Sequence, residues 1–433
     1  MSYFESVIDF LSRHSLEELV FMFWPFFFFD LPRFVILDTL CLVYFGIKRR
    51  LERKKRQFAR YMLYRENPLV SVIVPGKNEG KHIPALVASI KRQTYKNVEL
   101  IIVDDGSDDD TPIILENLKR QGLIDKVFRC EVRGGKASAA NLALRYAEGK
   151  FVVHLDADSH LKEDAIENII LPFYAYRDVG AVSGDIRVKN LNYNVLTDLQ
   201  AVEYLKSIST GRIVTSMLDI LRIVSGAFGA FRKDILDRIK GWDVGPGLDG
   251  DITLRIRKLG FKVVHEPEAV CYTSVPTSLL KLARQRYRWD RSLVRFRVRR
   301  HRDMLSPFNK NFRLSNALTV MENLFYNMVL NIKWWIYLFQ TFFVYHHDLV
   351  FIFLINYLLY LGANVIEYAM AVLILGKTFR RGEFLLWIYL PLMPIYTGIY
   401  LRVVRTFAHF MELLFKVSYY DRWNPWKVSR LLK

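Results

Sequence analysis

Ile101-Ile102-Val103-Asp104-Asp105-Gly106-Ser107 decides the fold, because three β-branched residues in a row run straight into two carboxylates and a glycine turn. An apolar run without polar alternation predicts a strand covered on both faces, as in a parallel sheet flanked by helices. Working outward, Val70–Val74 and Phe151–Leu155 repeat the pattern. Segments near 80–92, 111–120, 136–148 and 162–176 have helical spacing between them. This βαβα order predicts an α/β fold with a largely parallel sheet between about 66 and 280, whose ligands sit beyond the carboxyl ends of the strands. The acidic motifs Asp104-Asp105, Asp156-Ala157-Asp158 and the turn at Asp249 are all expected at such ends.

A chain of 433 residues exceeds what one hydrophobic core usually organises, so at least two regions are expected. The net charge of +18 would also suit a nucleic-acid binder. Here, however, the basic residues gather in two blocks beside apolar segments: 48–60 holds eight Lys/Arg against one acid, and 281–302 holds ten against one. Such blocks point to anionic headgroups and a cytoplasmic flank, and to no nucleic-acid partner. Cys41, Cys130 and Cys271 are too scattered for a disulfide framework, and no His/Cys cluster has structural-zinc spacing. The N-terminal stretch MSYFESVIDFLSRHSLEEL lacks a basic region before a cleavage site, so its apolar continuation is expected to stay in the mature protein.

From Leu19 to Ile47 the chain is apolar apart from Asp30, Arg33 and Asp38, and Pro25 and Pro32 interrupt it. That length suits one kinked span ending at Lys48-Arg49-Arg50. Further apolar windows occupy about 318–345, 349–375 and 384–404. The first two form an out-and-back pair; the third, broken by Pro391, Pro394 and Gly398, is expected to re-enter or lie in the interface rather than cross. Three regions follow: 1–60, a membrane segment with its basic flank; 61–303, a cytoplasmic catalytic domain; and 304–433, transmembrane and interfacial helices. Asn323, Asn327 and Asn331, with Glu322 adjacent, share one helical face, which would line a saccharide path or bond between helices.

Within the middle region, Val74-Pro75-Gly76-Lys77-Asn78-Glu79 ends a strand and opens a helix, exposing backbone N–H groups, and Glu79 can accept from a ribose or base. Asp104 and Asp105 at a strand end cost free energy unless they meet a nucleoside or a cation. The plainer reading, an Asx turn plus an N-cap, suits Asp108 to Asp110. Arg133-Gly134-Gly135-Lys136 leads into a helix containing Asn141; glycines let the backbone approach a diphosphate, with Lys136 as its point-charge partner. Asp156 and Asp158 point the same way on an extended chain, either both ligating Mg²⁺ or Mn²⁺ or dividing ribose and metal between them. Gln285-x-x-Arg288-Trp289 has the composition of a sugar clamp, with Arg288 for a diphosphate and the Trp289 face for a pyranose; the plainer alternative is an interfacial basic helix anchored by tryptophan.

In this order the motifs resemble those of the processive, membrane-bound glycosyltransferases of family 2, which have the nucleotide-sugar-binding GT-A fold and include synthases of poly-N-acetylglucosamine, hyaluronan, chitin oligosaccharide and cellulose. The resemblance covers roughly 66–300 by motif and the flanks by architecture. It implies that Glu79, Asp104, Asp105 and Lys136 hold the nucleotide, and Asp156 and Asp158 the nucleotide and its metal. Ser183-Gly184-Asp185-Ile186-Arg187 and Ser225-Gly226-Ala227-Phe228-Gly229 correspond to segments around the sugars, Asp185 and Arg187 on the donor side and Ser225 and Gly226, with Trp289, on the acceptor side. In Gly247-Leu248-Asp249-Gly250-Asp251 the general base falls at Asp249, although Leu248 stands where the family usually has an acid and Asp251 remains a second candidate. The activity so implied is an inverting, processive β-transfer from a UDP-sugar, best read as UDP-N-acetylglucosamine, to a growing polysaccharide that is exported across the membrane. Alternatives are a hyaluronan or β-glucan synthase and a single-sugar transferase to a lipid phosphate. A small membrane partner subunit is compatible with this architecture.

Overall fold

The computed structural model describes residues 3–243, 247–309 and 312–420. One eight-stranded sheet, in the order β3-β2-β1-β4-β7-β6-β8-β5, forms its centre. The anticipated strands β1 (Val70–Gly76), β2 (Val98–Asp104) and β4 (Phe151–Leu155) are parallel, and β3 (Lys126–Arg129) extends the same half beyond β2. The helices between them are Ile83–Lys91, Thr111–Arg120, Lys136–Tyr146 and Ala165–Ala175.

Alternate residues of each strand serve opposite faces. Val72, Val74, Leu100 and Ile102 pack with Leu63, Leu86, Ile166 and Ile169 on one side. Ile73, Ile101 and Val103 meet Ala137, Ala140, Ala143, Ile252 and Ile256 on the other. Two covered faces are the physical reason these strands lack polar alternation.

Past β4 the sheet is mixed. β7 (Phe228–Arg232) runs antiparallel to both β4 and β6 (Val179–Val188), β6 is parallel to β8 (Lys262–Thr273), and β5 (His160–Leu161) closes the edge antiparallel to β8. The Ser225–Gly229 segment is therefore a loop that becomes a strand at Phe228. Asp249 departs from expectation as well: it lies in the first turn of helix Leu248–Lys258 and not at a strand end.

Two flanking helices, 349–378 and 381–415, are long and apolar enough to cross a membrane. The third apolar window thus belongs to a continuous helix in which the turns around Pro391, Pro394 and Gly398 are taken up by 3₁₀ and π segments. The N-terminal stretch also contains a π segment, Phe26–Leu37, around Pro32. Its charges are paired: Arg33 with Asp38 and with Glu322 at 3.1 Å, and Asp30 with Lys333 at 3.1 Å. Asn323, Asn327 and Asn331 do not form one open face, because a π segment at Phe325–Val329 changes the turn between them. Asn327 donates to the Asn323 carbonyl at 2.9 Å, and Asn331 donates to Thr406 Oγ1 at 2.8 Å, an interhelical bond.

Candidate active site

The cleft is assembled at the carboxyl ends of β1, β2 and β4. Asp105 accepts the backbone N–H groups of Gly134 at 2.7 Å and Gly135 at 2.9 Å, so it ties the end of β2 to the entry of helix Lys136–Tyr146. Gly135 holds φ +89°, a conformation that L side chains rarely adopt. Asp104 differs from its neighbour. Its Oδ1 accepts from the Ser107 N–H at 2.9 Å, while its buried Oδ2 has no hydrogen-bond partner and only the Arg129 guanidinium nearby, at 3.6 Å. An orphaned buried acceptor suits an N–H supplied by a ligand.

Lys136 is half-buried and reaches across to pair with Asp156; its ammonium also approaches the Gly226 carbonyl at 3.4 Å. Burial disfavours the charge, but Asp156 and Asp249 outweigh it and raise the Lys136 pKa. Around this one cation the carboxylates crowd. Glu79 is pushed up to about 7 by burial and then by Asp158 and Asp156, and Asp158 to about 6 by burial and Asp156. Among the described residues no three His, Cys, Asp or Glu side chains converge as a complete ion cage. The donor set nevertheless fits a hard divalent ion that takes one or two carboxylates from the protein and further oxygens from a diphosphate.

Across the cleft, Asp249 accepts the Gly226 N–H, and a Cβ on Gly226 would lie 2.3 Å from Asp249 Oδ1, so only glycine fits there. Burial pushes the Asp249 pKa above its ordinary value, with Asp156, against the pull of Lys136, the Gly226 N–H and Arg212. A carboxylate so poised suits proton acceptance. The turn before this helix is pinned by Asn141, which donates to the Trp242 carbonyl at 2.7 Å and accepts its N–H at 2.8 Å.

Asp251 faces elsewhere. Fully buried, it contacts His301 Nε2 at 2.7 Å, Arg300 Nε at 3.3 Å and Arg255 Nη1 at 3.6 Å. Burial works to raise its pKa, but the His301 bond and the Arg300 and Arg255 charges prevail and hold it below its ordinary value. Asp251 is thus held in an ion cluster with His301, Arg300 and Arg255. Asp251→Asn is expected to destabilise the protein by about 3 kcal/mol, as breaking a buried pair does. Because the folded pKa is depressed, that contribution is complete above the unfolded value and disappears as pH falls through the folded one. Thermal unfolding of wild type and variant should therefore differ at neutral pH and converge in acid.

Asp185 and Arg187 are likewise not presented to a donor. Arg187 is buried, and its guanidinium is bonded to Asp185 at 2.6 Å, Glu383 at 3.4 Å and Thr378 Oγ1 at 3.2 Å, while Ser209 donates to Asp185 at 2.5 Å. The pair locks β6 to the C-terminal helices, a role invisible without Glu383 in place.

Gln285, Arg288 and Trp289 share one face of helix Leu279–Leu293 by their spacing. Gln285 Oε1 is buried without a hydrogen-bond partner, Arg288 is half-buried and Trp289 is 42% exposed. Sequence reasoning passed over the residue between them. Arg286 lies 4.4 Å under the Trp289 ring and bonds Glu203 at 2.8 Å, which Tyr396 also reaches at 2.8 Å. Tyr204 lies within the electrostatic reach of both Arg286 and Asp158, linking this helix to the cleft. Glu203, Tyr204 and Arg212 carry no motif; only isolated polar residues in an apolar stretch could have signalled them.

Carboxylates at parallel strand ends, a Gly-Gly-Lys helix entry and the half-buried Asp249 thus share one cleft. Residues 71–240 match the family described as Glycosyl transferase family 2. It is 30% identical over 222 residues to a poly-beta-1,6-N-acetyl-D-glucosamine synthase of Staphylococcus epidermidis, an alignment covering 51% of this chain and 53% of that one. A synthase of the same name from Staphylococcus aureus is 29% identical over 215 residues, or 49% and 51% of the two chains. The chain thus spans about half the length of the curated relatives it matches. Among solved structures, the mannosyltransferase PcManGT of Pyrobaculum calidifontis, in complex with GDP-Man and Mn²⁺, aligns over 87% of this chain and 99% of its own, with 20% identity and a TM-score of 0.55. That likeness establishes the GT-A fold.

Proposed function

We propose that the chain is a processive, inverting β-glycosyltransferase that polymerises N-acetylglucosamine from UDP-N-acetylglucosamine at the cytoplasmic face of the cell membrane and passes the polymer outward through its apolar segments. The observation that carries the transfer chemistry is Asp249, half-buried against the Gly226 loop and within electrostatic reach of Lys136 and Asp156. The choice of sugar is supported by the two staphylococcal relatives at about 30% identity. The two apolar helices and the basic flank at 48–60 support the membrane placement, with 61–303 as the cytoplasmic domain and anionic lipids beside its flank.

The chain's residues divide the reaction between them. Asp104 offers its free oxygen to the base, and Asp105 shapes the Gly134–Gly135 turn on which the diphosphate rests. Lys136 neutralises part of the diphosphate charge. A divalent ion, Mg²⁺ or Mn²⁺, held by Asp156 and Asp158, would neutralise the rest and so stabilise the leaving group. The acceptor hydroxyl gives its proton to Asp249 as its oxygen bonds the anomeric carbon from the face opposite the departing UDP, which leaves with the electron pair of the broken C–O bond. One displacement turns an α-linked donor into a β-linkage. Trp289 supplies a platform for the acceptor ring.

The test offers each UDP-sugar singly and in pairs to purified full-length protein with Mg²⁺ or Mn²⁺ and sizes the product. Polymer from UDP-N-acetylglucosamine alone is expected. A requirement for UDP-glucuronate would move the reading to hyaluronan, a single sugar on a lipid phosphate would remove processivity, and activity only with UDP-glucose would overturn the choice of sugar.

A further inference from the structure

Arg212, in helix Gly211–Met217, lies within electrostatic reach of Asp249 and belongs to none of the motifs. Its Nη1 donates to Ser183 Oγ at 3.0 Å, and the same oxygen accepts the Ser225 N–H at 3.3 Å, one residue from the Gly226 N–H that Asp249 holds. The guanidinium is therefore tied, through one hydroxyl, to the loop whose Gly226 N–H bonds Asp249. Among the described residues no carboxylate stands at ion-pair distance from it. Asp185, which feels its charge, is already committed to Arg187 at 2.6 Å. Burial holds the Arg212 pKa down to about 10, with Arg222 opposing its charge further.

A guanidinium has five N–H donors, and with Ser183 Oγ accepting one of them Arg212 keeps others that a ligand's oxygens can accept. Arg212 is half-buried, and none of its nitrogens is a buried atom without a partner, so the guanidinium is not sealed off within the protein. The electrostatic setting narrows what they meet. Asp249 balances Arg212, Asp185 balances Arg187, and Glu383 adds a further negative charge beside Arg187. An anionic acceptor would enter a pocket whose positive charge is already matched, whereas a neutral sugar would bring oxygen acceptors and no added charge.

We propose that Arg212 is an acceptor-subsite residue, its guanidinium donating to hydroxyl or amide oxygens of a neutral acceptor sugar seated between Ser183, the Ser225–Gly226 loop and Asp249. This rests on the glycosyltransferase reading above and adds the residue that selects the acceptor. Lys136, on the opposite side, serves the donor, so the two cations divide the substrates between them.

The experiment uses full-length protein and a β-1,6-linked N-acetylglucosamine oligosaccharide as added acceptor, measuring transfer, donor hydrolysis to free sugar, and UDP affinity. Arg212→Gln should raise the acceptor KM about tenfold or more, the effect of losing hydrogen bonds from a charged donor, and shift turnover from transfer toward hydrolysis. UDP affinity should stay within about twofold, since no diphosphate contact is lost. Arg212→Lys retains the charge without the planar fork and should recover only part of the acceptor affinity. An unchanged acceptor KM and hydrolysis ratio in both variants would overturn the proposal. So would loss of UDP affinity in step with transfer, which marks a structural role, or a preference of the wild type for an acceptor bearing a phosphate. If Arg212→Gln does not fold, Arg212→Lys decides by the same split of KM against hydrolysis. Wild-type protein that transfers to no saccharide would instead defeat the polymerase reading, an outcome visible before any variant is made.

Discussion

Asp249→Asn should lower transfer by roughly 100- to 10,000-fold, the contribution of a positioned general base, while UDP affinity changes little. The asparagine keeps the shape of the carboxylate and one oxygen to accept the Gly226 N–H, so the loop need not move. What disappears is the capacity to take the acceptor's proton. Asp249 accepts the Gly226 N–H, whereas Lys136 is paired with Asp156 on the diphosphate side. Radiolabelled product formation and calorimetric UDP binding on the same preparations separate the two effects. Asp251→Asn is the matched control, because its carboxylate lies against His301 and Arg300: it should lose stability first and keep catalysis in the fraction that remains folded. An active Asp249→Asn protein beside a folded but inactive Asp251→Asn protein would reverse the assignment.

The parallel half of the sheet was legible because each of its determinants is local. β1, β2 and β4 are short apolar runs, and the acids that close β2 and β4 follow without interruption. The antiparallel half was not. β7 reads Phe-Gly-Ala-Phe-Arg, where Gly229 breaks the propensity; it is a strand because it is clamped between β4 and β6. Site residues divide along the same line. Asp104, Lys136 and Asp156 stand out as candidates because a strand end or a helix entry places them. Arg187 and Asp251 lie in equally recognisable stretches, yet their partners, Glu383 and His301, are 196 and 50 residues distant, so nothing local distinguishes a ligand-facing charge from a locked one. The same distance effect hid Arg286 beneath Trp289, whose partner Glu203 lies 83 residues away. Buried ion pairs depend on desolvation, and desolvation is decided by the tertiary fold.

Removing divalent ions should abolish transfer and weaken UDP binding together, and Asp158→Ala should reproduce the loss, about 100-fold or more for a group worth several kcal/mol at the leaving group. The motive is the charge imbalance of the cleft. Glu79 is pushed up to about 7 by burial and then by Asp158 and Asp156, and Asp158 to about 6 by burial and then Asp156, while Lys136 is engaged with Asp156. A nucleoside diphosphate entering that cleft would add negative charge to carboxylates that already repel one another, and Lys136 alone cannot offset it. Two protons or one divalent ion would relieve the crowding, but protons would leave the diphosphate unneutralised as it departs. UDP binding titrated with and without EDTA, followed by restoration with Mg²⁺ and separately with Mn²⁺, distinguishes these cases. Restoration by the ions in wild type but not in Asp158→Ala is expected. Full activity of ion-free protein would assign the neutralisation to the chain's own cations and leave Asp156 and Asp158 as ribose and lysine partners.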